Sequence, residues 1–258
     1  MNTIKLLRNL SVRFPKSIKS RGDRVGLMTG KLPENINNIL LCLDFDDIVF
    51  DKISTLSQKP DLILTHHPFI YGTKYRIFQR DLVKKDLCER IDKLGIPVYS
   101  MHTNFDRGQD GMNDALANAL HLQDIKPLET ASMARGGRLE KAMEIHEFAK
   151  YANKCLGLKY SQLVHAGKDK IETVAIIGGG GSREYKNAML EGYDIYISGD
   201  TPHHVRREVI AYKYNYLDVS HEVERIFIPQ MKKILLEIDP TLNVETIDHE
   251  EQPELICD

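Results

Sequence analysis

The sequence predicts an α/β protein made of two linked α/β domains, with largely parallel sheets flanked by helices. Three observations carry this prediction. Short β-rich runs alternate with helical periodicities along the chain, the pattern of strands joined by crossover helices. The clearest helical run stops on Gly95-Ile96-Pro97, a strong helix terminator. The polar residues suited to chemistry fall just after strands, where α/β sheets hold their ligands. The chain has 258 residues, enough to bury a sizeable core in one large domain or two ordinary ones.

The strand runs are 39–43, 62–65, 98–101, 173–177, 195–198 and 216–219. Residues 1–15 break their apolar positions with Lys5, Arg8 and Arg13 and read as a short amphipathic helix. Leu82, Val83, Leu87, Ile91 and Leu94 line one face of the helix that Gly95 ends. Further helices are expected over 112–120, 139–156, 183–190 and 223–236. The stretch 123–138, with Pro127 and Gly136-Gly137, reads as the crossing between halves. That gives a first domain over 1–128 and a second over 129–258, with the last helix able to pack back on the first. Beyond Pro240 the chain is polar and acidic, and its end reads as loosely ordered.

Composition excludes several classes. Hydrophobic residues make up 42% and charged residues 28%, as in an ordinary globular protein. The net charge of −2 creates no global field that draws nucleic acid or acidic membrane. No apolar run approaches the roughly 18 residues of a membrane span, and residues 1–15 lack the features of a signal peptide. Cys42, Cys88, Cys155 and Cys257 are scattered without a Cys-x-x-Cys pair. That argues against a zinc knuckle or redox motif and suits the reducing cytoplasm.

The strand ends hold the chemistry. His66-His67-Pro68 follow 62–65. Neighbouring side chains on an extended strand point to opposite sides, so the pair serves one site only if the backbone turns, or serves two adjacent metals. His102 and Asp106 follow 98–101. Asp106 is the best carboxylate to bridge two cations, with Asp110 and Asp114 as alternatives, and Asn113 or Asp114 can act locally at the next helix start. His102 either contacts the reacting region directly or orients a ligand. His221 follows 216–219, and Glu224 lies three residues on, on the same helical face, with Glu222 as the reserve carboxylate.

Histidine and carboxylate without thiolate suit two divalent ions of zinc, iron, manganese, cobalt or nickel. A carboxylate-bridged pair about 3.5–4 Å apart is a common hydrolytic device. Gly178-Gly179-Gly180-Gly181-Ser182 lead from a strand into a helix. This loop either cradles an anion with backbone N–H groups or is glycine-rich so that backbone can pack tightly. Asp200 and His204, after 195–198, reach towards the same crevice in this reading.

Together these segments resemble the Nif-three-like family, whose bacterial members are often labelled type 2 homologues of GTP cyclohydrolase I. The resemblance runs through most of the chain. It is densest at Thr65-His66-His67-Pro68, at His102-Thr103-Asn104-Phe105-Asp106, at Gly178–Ser182, at Ser198-Gly199-Asp200 with His204, and at His221 with Glu224. It implies two α/β domains with a dinuclear metal site at strand ends between them, and a toroidal homohexamer. It also implies His66, His67, Asp106, His221 and Glu224 as metal ligands, and favours His204 as a substrate-facing acid or base beside His102. One departure stands out: many members space this histidine and glutamate by four residues, where this chain has three. The function implied is a metal-dependent hydrolase acting on a small nucleotide-like or phosphorylated substrate. The competing class is a non-enzymatic metal-binding regulator or scaffold, which predicts saturated coordination and a metal-dependent protein partner.

Overall fold

The computed structural model describes residues 1–256; Cys257 lies outside the described residues. In chain order the first elements are α1 (Thr3–Arg13), β1 (Gly26–Thr29), β2 (Asn38–Cys42), α2 (Asp47–Lys52), β3 (Leu62–Thr65), α3 (Lys74–Phe78), α4 (Leu82–Leu94), β4 (Val98–Ser100), α5 (Thr103–Arg107) and α6 (Met112–Ala119). There follow β5 (Gln123–Pro127), β6 (Arg135–Glu144), α7 (Ile145–Leu156), β7 (Gln162–Val164), β8 (Lys170–Ile176) and α8 (Tyr185–Leu190). The last are β9 (Ile195–Ser198), α9 (His203–Ala211), β10 (Asn215–Asp218), α10 (Phe227–Ile238) and β11 (Asn243–Thr246). Among the described residues no helix is long and apolar enough to cross a membrane.

Two compact units emerge. Among the described residues, unit 1 comprises 1–111 and 227–249, and unit 2 comprises 112–226 and 250–256. Unit 1 is built on a five-stranded sheet ordered β1-β4-β3-β2-β11. Strands β4, β3, β2 and β11 run parallel, and β1 closes one edge antiparallel to β4. All four residues of β3 are buried, as expected of a parallel strand covered on both faces. Leu40, Ile63 and Val98 from the sheet meet Leu87, Cys88 and Ile91 of α4 in one core cluster. Asp81 caps α4 by accepting from the Lys84 N–H at 2.8 Å, and Gly95 ends it in the left-handed region at φ 68°. The expected terminator acts as such, because glycine enters that conformation without a Cβ penalty.

Unit 2 carries a six-stranded sheet ordered β5-β6-β8-β9-β10-β7. Here β8, β9 and β10 run parallel, while β5, β6 and β7 pair antiparallel. Its sheet is therefore mixed, and the expectation of largely parallel sheets holds for unit 1 alone. Ala175, Tyr196 and Tyr216 from the sheet pack with Tyr185, Ala188 and Val209 of α8 and α9.

Three expectations are corrected. The helix expected over 139–156 starts only at Ile145; residues 139–144 extend β6, where buried Leu139 stands between exposed Arg138 and Glu140 in a two-residue alternation. The stretch 123–138 is no linker, because β5 pairs with β6 inside unit 2. The first boundary accordingly falls between Gly111 and Met112, not after 128, and 227–249 belongs with unit 1. Within the acidic segment beyond Pro240 lies a strand that the sequence did not predict, 243–246, paired in register with 38–41 of β2.

Candidate metal centre

In unit 1 the parallel register of β2, β3 and β4 brings their carboxyl ends level and sets Asp44, His66-His67 and His102 on one edge. The His66 and His67 N–H groups both donate to the Leu43 carbonyl, each at 3.1 Å. The backbone thus curls between the two histidines, and Thr65 Oγ1 fixes the curl by donating to the His67 carbonyl at 2.8 Å. The two rings lie on one side, centroids 4.9 Å apart, with His102 5.2 Å from His66. Each of His66, His67 and His102 offers a ring nitrogen within 4.8 Å of the others'.

Orientation of these rings is imposed through Nδ1. His66 Nδ1 lies 2.9 Å from the Met101 carbonyl. A carbonyl only accepts, so Nδ1 carries the proton and the ring lone pair sits on Nε2. His67 Nδ1 meets Asp44 Oδ2 at 2.6 Å, and His102 Nδ1 meets Asp23 Oδ1 at 2.7 Å. Asp23 is 7% exposed. Burial alone raises its pKa, but the His102 ring, the Thr103 hydroxyl and N–H and the Arg24 N–H overcome this and hold it at about 2. It is a fixed anion. Asp106, on α5, is buried with Oδ1 3.5 Å from His66 Nε2. Phe105 and Phe227 wall the other side of the His66 ring, with centroids at 6.3 and 5.5 Å.

In unit 2 residues His221–Ile226 form a 3₁₀ turn. Residues three apart eclipse in such a turn. That is why a spacing of three suffices here: Glu224 Oε2 lies 3.2 Å from His221 Nε2. Glu224 is 4% exposed, whereas Glu222 is half-exposed and faces a neighbouring pocket. His221 Nδ1 meets Asp200 Oδ2 at 2.6 Å. Asp200 adopts a left-handed φ of 53°, a strained conformation of the kind found at functional sites. The Glu224 hydrogen bond, opposed by burial and aided by Asp200, raises the His221 pKa to about 9.

Gly178 and Gly179 are the floor beneath Glu224. A Cβ on Gly179 would stand 2.2 Å from Glu224 Oε1, and Gly179 itself sits at φ 59°. The Gly178 N–H donates to Asn113 Oδ1 at 2.8 Å, and the Gly181 N–H to the Gly179 carbonyl at 2.9 Å. Ser182 is buried at the start of a short 3₁₀ turn. In Gly178–Ser182, then, the glycines permit close approach, and two of the donors an anion would need are engaged internally.

In each unit an imidazole Nε2 faces a carboxylate oxygen, at 3.2 and 3.5 Å, a pairing that a proton or a divalent cation between the two atoms satisfies. Both units present this arrangement, so the donor set fits a divalent ion. Of the other residues singled out by sequence, Asp114 is held by an ion pair with Arg135. His204 is exposed on the first turn of α9 beside Glu208, and it is Asp200 that touches His221. Sequence reasoning missed Asp44 and Asp23. Asp44 stands just beyond β2, so the strand-end rule would have found it; Asp23 lies in an irregular segment that carries no periodic signal.

These features define an α/β protein with two sheets flanked by helices and with histidine and carboxylate groups able to hold metal. The chain belongs to the DUF34/NIF3 family (NGG1p interacting factor 3), whose model matches residues 1–253. It is 32% identical over 213 residues to a GTP cyclohydrolase 1 type 2 homolog of Clostridium perfringens, covering 80% of each. Its fold is similar to that of a Bacillus cereus protein related to NIF3, with TM-score 0.88 and 20% identity over 100% of this chain and 99% of that one. Reduced HcgD from Methanocaldococcus jannaschii is also similar, with TM-score 0.76 and 24% identity over 95% and 97%.

Proposed function

We propose that this chain is a dinuclear metal-binding protein in which His66, His67, Asp106, His221 and Glu224 hold two divalent ions of zinc, iron, manganese, cobalt or nickel. The site, in this reading, is a hydrolytic centre for a small nucleotide-like or phosphorylated molecule. One observation carries the proposal. Four imidazoles, His66, His67, His102 and His221, each meet an acceptor through Nδ1, which leaves Nε2 as the nitrogen offered to a metal. Metal-ligating histidines are oriented in this way.

Two ions bound there would supply a hydroxide-like nucleophile near neutral pH and stabilise developing negative charge. The chain's residues do the rest. Asp44, Asp23 and Asp200 fix the rings. His102, backed by the Asp23 anion, is placed to accept and return a proton at Nε2. His204 is the second proton-handling candidate, on an exposed helix turn open to substrate. Gly178–Ser182 keep Glu224 in place. The chain is expected to act in the cytoplasm as a homo-oligomer, with the toroidal hexamer as the specific arrangement proposed.

Elemental analysis of the purified full chain tests this reading. Two equivalents of metal per chain are expected, falling in His66→Ala and in Glu224→Gln. Metal-dependent turnover in a screen of nucleotides and phosphoesters should vanish in His66→Ala. Metal content unchanged by His66→Ala overturns the ligand assignment, and a blank screen with fully metallated protein overturns the hydrolase.

A further inference from the structure

Charge is spread unevenly over the chain. Its total is −2, yet residues 16–24 hold four cations, Lys16, Lys19, Arg21 and Arg24, against one acid, Asp23, a local balance of +3. These residues lie between α1 and β1, in a 3₁₀ turn over Lys16–Ile18 and the irregular stretch after it. The stretch is anchored beside His102. The Ser20 N–H donates to Thr103 Oγ1 at 2.9 Å, the Arg107 guanidinium donates to the Ile18 carbonyl, and Asp23 accepts from His102. The cations therefore stand on a fixed frame at the rim of the unit 1 strand ends.

Their charge is not spent on the protein. Among the described residues none of the four pairs with a carboxylate. The carboxylate of Asp23 is turned to His102 and Thr103. Lys19 Nζ donates to the Asp23 carbonyl at 2.6 Å, which positions the ammonium without neutralising it. Lys16 Nζ lies over the Tyr99 ring, 5.9 Å from its centroid. A Cβ on Gly26 would stand 2.7 Å from that ammonium, so the glycine leaves the room it occupies. By contrast Arg13, Arg90 and Lys74, also in unit 1, are matched to Glu237, Asp86 and Asp92 at 3.1, 2.9 and 3.5 Å. Single unpaired cations are ordinary on a surface; four within nine residues, with their one acid engaged, make a patch of one sign.

The number and type of these cations select the ligand. Like charges this close repel one another, and a bound polyanion relieves the repulsion. A guanidinium grips phosphate oxygens with two parallel N–H donors, and lysine adds a compact point charge. One carboxylate or one orthophosphate would leave most of the four cations unused, whereas two or three linked phosphates carry charge enough for all. A nucleic-acid backbone needs a longer basic track, and the rest of this chain sums to −5. Gly178–Ser182 is the weaker candidate for phosphate, because two of its donors are already engaged.

We propose that residues 16–24 form a phosphate-chain subsite, in which Lys16, Lys19, Arg21 and Arg24 hold two or three linked phosphates of the substrate beside His102. The inference rests on the reading of the unit 1 strand ends as part of a reaction site, and it deepens that reading. The substrate carries a di- or triphosphate, and its phosphates are held by the loop between α1 and β1.

Calorimetric titration of the full chain tests it, on the protein as purified and again after chelator treatment, which separates phosphate bound by metal from phosphate bound by the cations. The probes are tripolyphosphate, a nucleoside triphosphate, orthophosphate and a single-stranded oligonucleotide. Tripolyphosphate should bind the metal-free chain about tenfold more tightly than orthophosphate, and less tightly as salt rises. Lys16→Gln combined with Arg21→Gln, both at exposed positions, should weaken that binding about tenfold, as expected for lost charged hydrogen bonds. Lys85→Gln combined with Lys93→Gln, which removes the same charge from exposed positions on α4, should leave it unchanged. Tighter binding of the nucleoside triphosphate than of tripolyphosphate supports the subsite and makes the substrate a nucleotide; equal or weaker binding supports it with the phosphate chain alone as the recognised part. No binding of tripolyphosphate, binding unchanged in the Lys16 and Arg21 variant, or tighter binding of the oligonucleotide than of both phosphate-chain probes would each overturn it. Absence of metal from the purified wild-type chain would instead sink the metal-site reading, and the metal-free titration would still judge the subsite.

Discussion

In unit 1 the candidate ligands stand on the ends of neighbouring parallel strands, and in unit 2 they lie three residues apart on a single 3₁₀ turn. The first arrangement takes its geometry from sheet register. His66, His67 and His102 are held by the parallel pairing of β2, β3 and β4 and then by carboxylates or a carbonyl behind each ring. The second takes its geometry from the floor. His221 and Glu224 meet because the turn eclipses them and because two glycines let backbone lie flush beneath the carboxylate. The lesson is that comparable chemistry has different weak points. In unit 1 the supporting side chains matter; in unit 2 the missing ones do.

Four substitutions sharpen or break this contrast. The largest effect is expected from His67→Ala, which removes a ligand outright. Chelator competition should show metal affinity falling more than about 100-fold, beyond what loss of an orienting partner causes. Next comes Gly179→Ala. Its new Cβ would collide with Glu224 Oε1 at a left-handed backbone position. Metal content should fall from about two equivalents to about one by elemental analysis, and retention of both ions would break the floor argument. Third, Asp44→Asn should loosen His67 and weaken metal binding about 10–100-fold without unfolding the chain. A loss confined to thermal stability would reduce Asp44 to a structural residue.

The smallest effect on metal is expected from Asp194→Ala, at the opposite end of β9 from Asp200. Burial raises the Asp194 pKa, but Lys168 and the Thr173 and Glu172 N–H groups, the latter two at 2.9 and 3.0 Å, bring it below the usual 3.8. A depressed folded-state pKa stabilises fully above 3.8 and loses that contribution as pH falls through the lower folded value. Denaturant unfolding at neutral pH should show a loss of about 1–3 kcal/mol in the variant. That difference should shrink towards zero in acid while metal content at neutral pH stays unchanged.

Much of this was legible in the sequence because strands buried on both faces leave continuous apolar runs, and 62–65 is one of them. The histidines were visible because each follows such a run. Residues 139–144 were misread because Leu139 continues a helical phase into α7, although the local alternation is that of a strand. β11 was missed because an edge strand in an acidic segment needs a partner, β2, some 200 positions away. Asp23 was invisible for a similar reason: its value comes from His102 and Thr103, 79 and 80 positions distant. The turn type under His221 was equally hidden, and it is what makes the three-residue spacing workable.

The late return of residues 243–246 to β2 has a consequence for synthesis. All strands of the second sheet lie within 123–218, so that sheet has its full complement while the first still lacks a border. During translation the side of β2 that β11 will occupy stays unsatisfied, with bare N–H and C=O groups. A chain folded only through residue 226 would therefore have every strand of the second sheet and a first sheet whose β2 edge is open to strand invasion.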